Sequence, residues 1–216
     1  MPSINVEDYI KTIWSIESEH ERATTKRIAQ QLNVKMASVT GMIKYLSSEG
    51  YVAHVPYKGV TLTEKGHKVA MDMLRRHRII ELFLSKALDM SWDELHDEAE
   101  NLEHAVSDRL VERMYEHLGR PEFDPHGHRI PDNNGVLSQP ESIPLAHLEI
   151  GTEAKILEVP DTDPEFLRYL TGLKIQIGST IKILEKSPFE GPIKILIGKN
   201  NSAISVETAR RIKVTA

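Results

Sequence analysis

Residues 25–66 read TKRIAQQLNVKMASVTGMIKYLSSEGYVAHVPYKGVTLTEKG, and the order of elements they encode decides the fold. Thr24 or Thr25 is placed to cap a helix over KRIAQQL, because a hydroxyl there accepts from the first free amides. That helix ends near Asn33. Residues 36–49 predict another, with Val39, Ile43 and Leu46 on its apolar stripe and Gly50 as its stop. YVAHVPYKGVTLT then alternates apolar and polar residues around a Pro-Tyr-Lys-Gly turn, the pattern of a β-hairpin. Thr63, Glu64 and Lys65 open a long helix reaching about Ala87. Upstream, residues 6–18 set Val6, Tyr9, Ile10, Ile13, Trp14 and Ile16 at helical spacing.

Helix, short helix, turn, helix and hairpin in that order make a winged helix-turn-helix. Such a unit lays the second helix of its turn pair in the major groove. Ala37, Ser38, Thr40 and Lys44 are then the side chains for base edges. Thr25, Lys26, Arg27 and the wing-tip Lys58 suit phosphates, whose contacts fix register and give salt-dependent affinity. A purely structural three-helix-plus-hairpin module is the alternative. The charge favours DNA: residues 22–70 hold eight Lys/Arg and two acids, a net +6 within a chain whose total is −5.

Residues 73–142 reverse that sign, with eight basic and fifteen acidic residues, and six of the ten histidines lie there. Two helices are expected, over 92–104 and 107–118, followed by a Pro/Gly/Asn-rich linker over 119–143. On the first of them His96, Glu100, Glu103 and His104 stand at i, i+4, i+7 and i+8, on one face. His77 and Glu81 are i, i+4 neighbours on the preceding helix, and Asp8 sits early in the first. Mixed carboxylate and imidazole sets take borderline-hard cations such as Mn²⁺ and Fe²⁺. Glu-x-x-Glu-His equally suits a solvated helix face, so this pattern alone leaves both readings open. Tyr115 and the remaining histidines read as surface or packing residues.

From about residue 144 short β-prone runs appear (AKILEV, LKIQI, TIKILEK, PIKILIG, ISV), interrupted by one helical stretch, DPEFLRYLTG. Some 70 residues of short strands predict a small β-barrel. The 216 residues exceed the usual single-domain size of ~100–150, and 40% apolar with 27% charged residues suits a folded chain. The absence of cysteine excludes disulfides, thiolate zinc sites, iron–sulfur clusters and a cysteine nucleophile. No apolar run approaches the ~18–20 residues a membrane helix needs, and the first residues lack a secretory pattern, so a cytoplasmic protein is expected. No phosphate-binding glycine loop, G-x-S-x-G or H-E-x-x-H is present, so an enzyme is not expected.

Taken together, VEDYIKTIW, RIAQQLNVKMASVTGMIKYLSSEGYV, LTEKGHKVA, RRHRIIELFL and above all HDEAENLEHAVSD resemble the diphtheria toxin repressor family of metal-dependent regulators, manganese-responsive branch. DPHGHRIP is similar to that family's Pro-His-Gly loop. The resemblance covers the whole chain. It implies a multi-domain, mainly α protein: a winged helix-turn-helix domain (1–72), a helical metal-binding and dimerisation domain with linker (73–142), and a Src-homology-3-like β-barrel (143–216). It implies a metal-activated homodimeric repressor of metal-homeostasis genes, binding palindromic operator DNA. By position the primary metal set is Asp8, His77, Glu100, Glu103 and His104. The iron branch has Met and Cys at the positions of Asp8 and Glu100, and oxygen in place of sulfur favours Mn²⁺ while leaving Fe²⁺ open. Some manganese regulators carry a second acid where this chain has Lys11, which tells against a paired-metal site here. A secondary set maps onto Glu81, Asp124, His126 and Asp161, with Asp124 where relatives often have Cys. His96 matches an ancillary ligand of the iron branch. The rival expectations are an iron-responsive repressor of this family and a winged-helix regulator answering to an organic ligand. A di-metal carboxylate enzyme lacks the second Glu-x-x-His helix it would need.

Overall fold

Thr24 sets the entry to the helix-turn-helix: its side chain accepts from the Arg27 amide at 3.3 Å and starts α2 (Thr25–Gln31) after α1 (Ile4–Ser18). The computed structural model describes residues 4–19, 21–55, 59–138 and 140–215. Asn33, in the left-handed region, turns the chain into α3 (Met36–Ser48). The hairpin follows as β1 (Val52–Val55) and β2 (Gly59–Leu62), antiparallel, with Val52 opposite Leu62. Its tip lies outside the described residues. Thr63 caps α4 (Glu64–Leu88) by accepting from the Gly66 amide at 3.2 Å. A Cβ at Gly66 would come within 2.1 Å of the Tyr51 carbonyl oxygen, so only glycine lets this helix start so close to the strand.

Two units emerge from the packing: residues 1–77 with 131–137, and residues 78–130 with 138–216. The first is built on the α1 stripe. Val6, Tyr9, Ile10, Ile13 and Ile16 are buried with Ile28, Val39, Leu46, Val60 and Leu62. The segment Pro131–Leu137 joins this unit through Leu137, which packs on that core, and through Arg75, whose guanidinium donates to the Pro131 carbonyl at 2.9 Å.

The second unit holds the rest of α4, α5 (Leu95–Glu103) and α6 (Asp108–His117), joined by two small apolar clusters around Ile79 and Ile80. Further elements follow: β3 (Ser142–Pro144), a 3-10 turn (Leu145–His147), β4 (Glu153–Glu158), α7 (Pro164–Gly172), β5 (Thr180–Lys186), β6 (Ile193–Ile197), β7 (Asn200–Ile204) and α8 (Val206–Arg211). β8 (Lys213–Thr215) is the last element among the described residues. Every pairing is antiparallel and the strand order is β3-β8-β4-β5-β6-β7. Alternate residues of β4, β5 and β6 (Ile156, Ile181, Ile183, Ile193, Ile195) meet Leu167 and Leu170 of α7 in one core. Trp92 packs on that core and donates its indole N–H to Thr171 at 2.9 Å. No helix is long and apolar enough to cross a membrane among the described residues.

Several boundaries differ from the sequence reading. α5 starts at Leu95 rather than 92: Trp92 is spent on the sheet core, and Glu94 folds back to accept from the Ser91 hydroxyl at 2.7 Å. LKIQI is not a strand. Lys174 takes a left-handed conformation that ends α7, and the Ile175 amide returns to the Leu170 carbonyl, so Ile175 fills the core from a turn. ISV straddles two elements, because Ser205 caps α8 by accepting from the Thr208 amide at 3.0 Å. β3, α8 and β8 are too short for a periodic signal.

Candidate metal centre

The second unit concentrates ligand-type side chains. Glu81 of α4 is fully buried, as is His126 in the loop between α6 and β3. That loop, DPHGH, is fixed by Asp124. Its Oδ1 accepts from the amides of His126 (2.8 Å) and His128 (2.9 Å), an Asx-type turn. Gly127 is left-handed, and a Cβ there would sit 1.8 Å from the Leu157 carbonyl oxygen. The Val159 amide donates to the His126 carbonyl at 3.0 Å, so the end of β4 is bound to the loop.

These bonds set the chemistry of His126. Its Nε2 lies 2.8 Å from the Trp92 carbonyl oxygen, so Nε2 carries the proton and donates it. In the neutral ring Nδ1 then holds a lone pair. That atom is buried, has no hydrogen-bond partner among the described residues, and faces Glu81 Oε2 at 3.8 Å. On the other side, Glu81 Oε1 lies 3.8 Å from His96 Nδ1. Two donors bound to one ion at ~2.1 Å each are ~3–4 Å apart, so these separations fit shared ligation better than hydrogen bonding. Glu81, His96 and Asp161 bring ligand atoms within 4.8 Å of one another, and so do Asp124, His126 and His128. An orphaned ring nitrogen among buried carboxylates fits a divalent cation.

The electrostatics agree. Burial opposes charge on His126, but the facing Glu81 carboxylate, that of Asp124 and the bond to the Trp92 carbonyl hold its pKa above the ordinary imidazole value. Burial likewise opposes charge on His128. Asp124, bonded at 3.1 Å, and Asp161 override it and raise that pKa to about 9. Burial pushes Asp161 up, yet His128 leads a net lowering. Arg78, inside the same unit, stands 3.7 Å from Asp124 Oδ2 and donates to the Arg129 carbonyl.

On α5, Glu100 and Glu103 bring carboxylate oxygens within 4.8 Å of each other, with Glu103 buried. His104 is the helix C-cap rather than a helical residue, and its Nε2 lies 3.6 Å from Glu103 Oε1. His96 Nε2 faces Glu100 Oε1 at 3.8 Å, so its two ring nitrogens face one acid from each expected set. Asp8 and His77 lie in the first unit, on α1 and α4, where Lys11 Nζ donates to His77 Nδ1 at 3.3 Å.

Of the residues expected at DNA, Ala37, Ser38, Thr40 and Lys44 are exposed on α3 and Lys26 is exposed on α2. Thr25 and Arg27 are half-buried, and Arg27 pairs with Glu21. Lys58 lies outside the described residues. The sequence reading passed over Met36 and Tyr45, both exposed on α3, and took His128 for a surface or packing residue. Only its place two residues beyond His126 signalled otherwise.

Three family models match the chain: "Iron dependent repressor, N-terminal DNA binding domain" over residues 1–60, "Iron dependent repressor, metal binding and dimerisation domain" over 63–132, and the "FeoA domain" over 143–216. The HTH-type transcriptional regulator MntR of Lysinibacillus sphaericus is 32% identical over 114 residues, covering 53% of this chain and 81% of that protein. The iron-dependent repressor IdeR of Mycobacterium tuberculosis is 26% identical over 220 residues, covering 96% and 95%. A solved structure described as a manganese-dependent transcriptional repressor complex with manganese superposes with a TM-score of 0.89 at 35% identity, covering 98% of this chain and 99% of that one.

Proposed function

Because the chain belongs to the diphtheria toxin repressor family of metal-dependent transcriptional repressors, we propose that it controls metal-ion homeostasis as a manganese-activated homodimer on palindromic operator DNA. The family consists of DNA-binding regulators, not enzymes. The three functional segments are 1–72, 73–142 and 143–216, and the protein works in the cytoplasm.

The observation that carries the choice of metal is the sulfur-free character of the end of α5, where Glu100 and Glu103 bring carboxylates together and the C-cap His104 lies beside Glu103. Carried over by position, Asp8 and His77 complete the primary set. Carboxylate in place of thiolate and thioether shifts preference toward Mn²⁺. The secondary set is Glu81, Asp124, His126 and Asp161, with His96 ancillary. When bound, a cation supplies positive charge that offsets repulsion among these acids. It selects the DNA-competent population rather than making a new surface. α3 then offers Ala37, Ser38, Thr40 and Lys44 to base edges, and Thr25, Lys26, Arg27 and Lys58 serve phosphates.

The iron-responsive reading is the second, since iron-dependent repressors are among the relatives. Binding of chelator-stripped protein to its own upstream DNA, titrated with Mn²⁺, anaerobic Fe²⁺ and Zn²⁺ at fixed salt, separates the two. Manganese activation at the lowest free-metal concentration supports the proposal. Activation by Fe²⁺ alone supports the second reading.

A further inference from the structure

The DPHGH loop contains a histidine that neither metal set uses. His128 Nδ1 lies 3.1 Å from Asp124 Oδ2 and 3.5 Å from Asp161 Oδ2, while its Nε2 lies 3.9 Å from Glu158 Oε1. Two of the three carboxylates expected to hold the secondary cation, Asp124 and Asp161, therefore converge on one nitrogen of this ring. His126 and His128 are both held by Asp124 Oδ1, and Gly127 between them admits no side chain. The loop is thus built to present two imidazoles and a carboxylate, whose ligand atoms lie within 4.8 Å of one another. An independent pointer to a ligand is the fully buried His126 Nδ1, which has no hydrogen-bond partner among the described residues.

We propose that His128 is itself a ligand of the cation in the second unit, giving that site a second imidazole and raising its affinity for Zn²⁺ and Co²⁺ more than for Mn²⁺. The proposal rests on reading Glu81, Asp124, His126 and Asp161 as a metal site and extends it. A cation collecting Asp124 Oδ2 and Asp161 Oδ2 lies within reach of His128 Nδ1, because all three atoms face one another. Each imidazole added to a carboxylate set favours the later first-row cations, whose affinity for nitrogen exceeds that of Mn²⁺. With His128 the second set carries three carboxylates and two imidazoles, the same donor count as Asp8, His77, Glu100, Glu103 and His104.

The test uses the full chain, stripped with chelator and titrated calorimetrically with Co²⁺, Zn²⁺ and Mn²⁺, as wild type, His128→Asn and Glu81→Gln. Proton spectra of the Co²⁺-loaded protein count the shifted imidazole N–H signals, and thermal unfolding without metal checks the fold. Wild type is expected to bind Co²⁺ and Zn²⁺ more tightly than Mn²⁺ at one equivalent. His128→Asn should weaken Co²⁺ and Zn²⁺ there by about tenfold or more, change Mn²⁺ less, and remove one shifted imidazole signal. A ring that merely orients Asp124 would leave the signal count unchanged, and that result overturns the proposal. If Glu81→Gln deletes the equivalent while His128→Asn leaves affinity and spectrum intact, the site stands and His128 is not its ligand. If Glu81→Gln also changes nothing, the reading of the site itself falls.

Discussion

The Nε2–H of His126 donates to the main-chain oxygen of Trp92 at 2.8 Å, and this bond decides which ring nitrogen is left for chemistry. Trp92 packs on the sheet core and stacks near-parallel to the His126 ring, with centroids 6.1 Å apart, so the apolar core sets the tautomer of a metal-type side chain. Nδ1 is thereby turned to Glu81.

His126→Asn should therefore remove a nitrogen donor while leaving most of the packing. Wild-type protein gains thermal stability on adding metal, since a ligand that binds only the folded state stabilises it. The variant should show a smaller gain, with site affinity reduced by about tenfold or more. Scanning calorimetry with and without metal makes the comparison, and an equal gain in both proteins counts against ligation by His126.

The pH dependence of the metal-free protein follows from His128. Its folded pKa of about 9 lies above the ordinary value of 6.5, so it binds its proton more tightly when folded. Its contribution to stability is complete below about pH 6.5 and disappears as pH rises toward 9. Urea unfolding at pH 6, 7.5 and 9 should show this component declining with pH in wild type and missing in His128→Asn. A wild-type profile that parallels the variant's would rule it out.

Gly127 and Gly119 are both left-handed, but only Gly127 has a carbonyl oxygen in the way of a Cβ. Gly119→Ala should cost about 1 kcal/mol from backbone strain alone. Gly127→Ala must also push Leu157 away and should cost about 2–4 kcal/mol, with loss of the second unit's metal site. Chemical denaturation of the two variants side by side reads the difference, and equal costs would mean that the loop can relax.

At the DNA face, the Thr40 hydroxyl donates to the Met36 carbonyl at 2.9 Å, so it is occupied within its own helix. The methyl is then the group left for a base. Thr40→Val should keep operator affinity, whereas Thr40→Ser should weaken it. Lys26→Ala should weaken binding across sequences and reduce the salt slope by about 1, as a phosphate contact does, whereas Lys44→Ala should weaken the operator more than variant sequences, as a base-edge contact does. Fluorescence anisotropy at several salt concentrations measures both effects.

The winged helix-turn-helix was legible because capping, periodicity and turn chemistry agree there. Thr24, Gly50 and the α1 stripe each act through neighbours close in sequence. The clustering of Glu100 and Glu103 on α5 was legible for the same reason, as helical spacing fixes a face. Asp124 and His126 entered only through the resemblance, because the surroundings of His126 and His128 are set by Asp124, Trp92, Glu81 and Asp161, spread over four segments. LKIQI misled because a buried isoleucine in a turn has the composition of a strand. Trp92 misled because its partners lie 79 residues away, at Thr171.

The measurement bearing most directly on metal-gated repression is operator affinity of the chelator-stripped chain as a function of Mn²⁺, for wild type, Asp8→Ala and Glu103→Ala, each checked by thermal unfolding. Wild type should tighten steeply on DNA as Mn²⁺ rises, and both variants should keep their fold yet need about tenfold more Mn²⁺ or fail to respond. Operator binding that is equally tight with chelator present, or a variant with wild-type metal dependence, would contradict gating by this donor set.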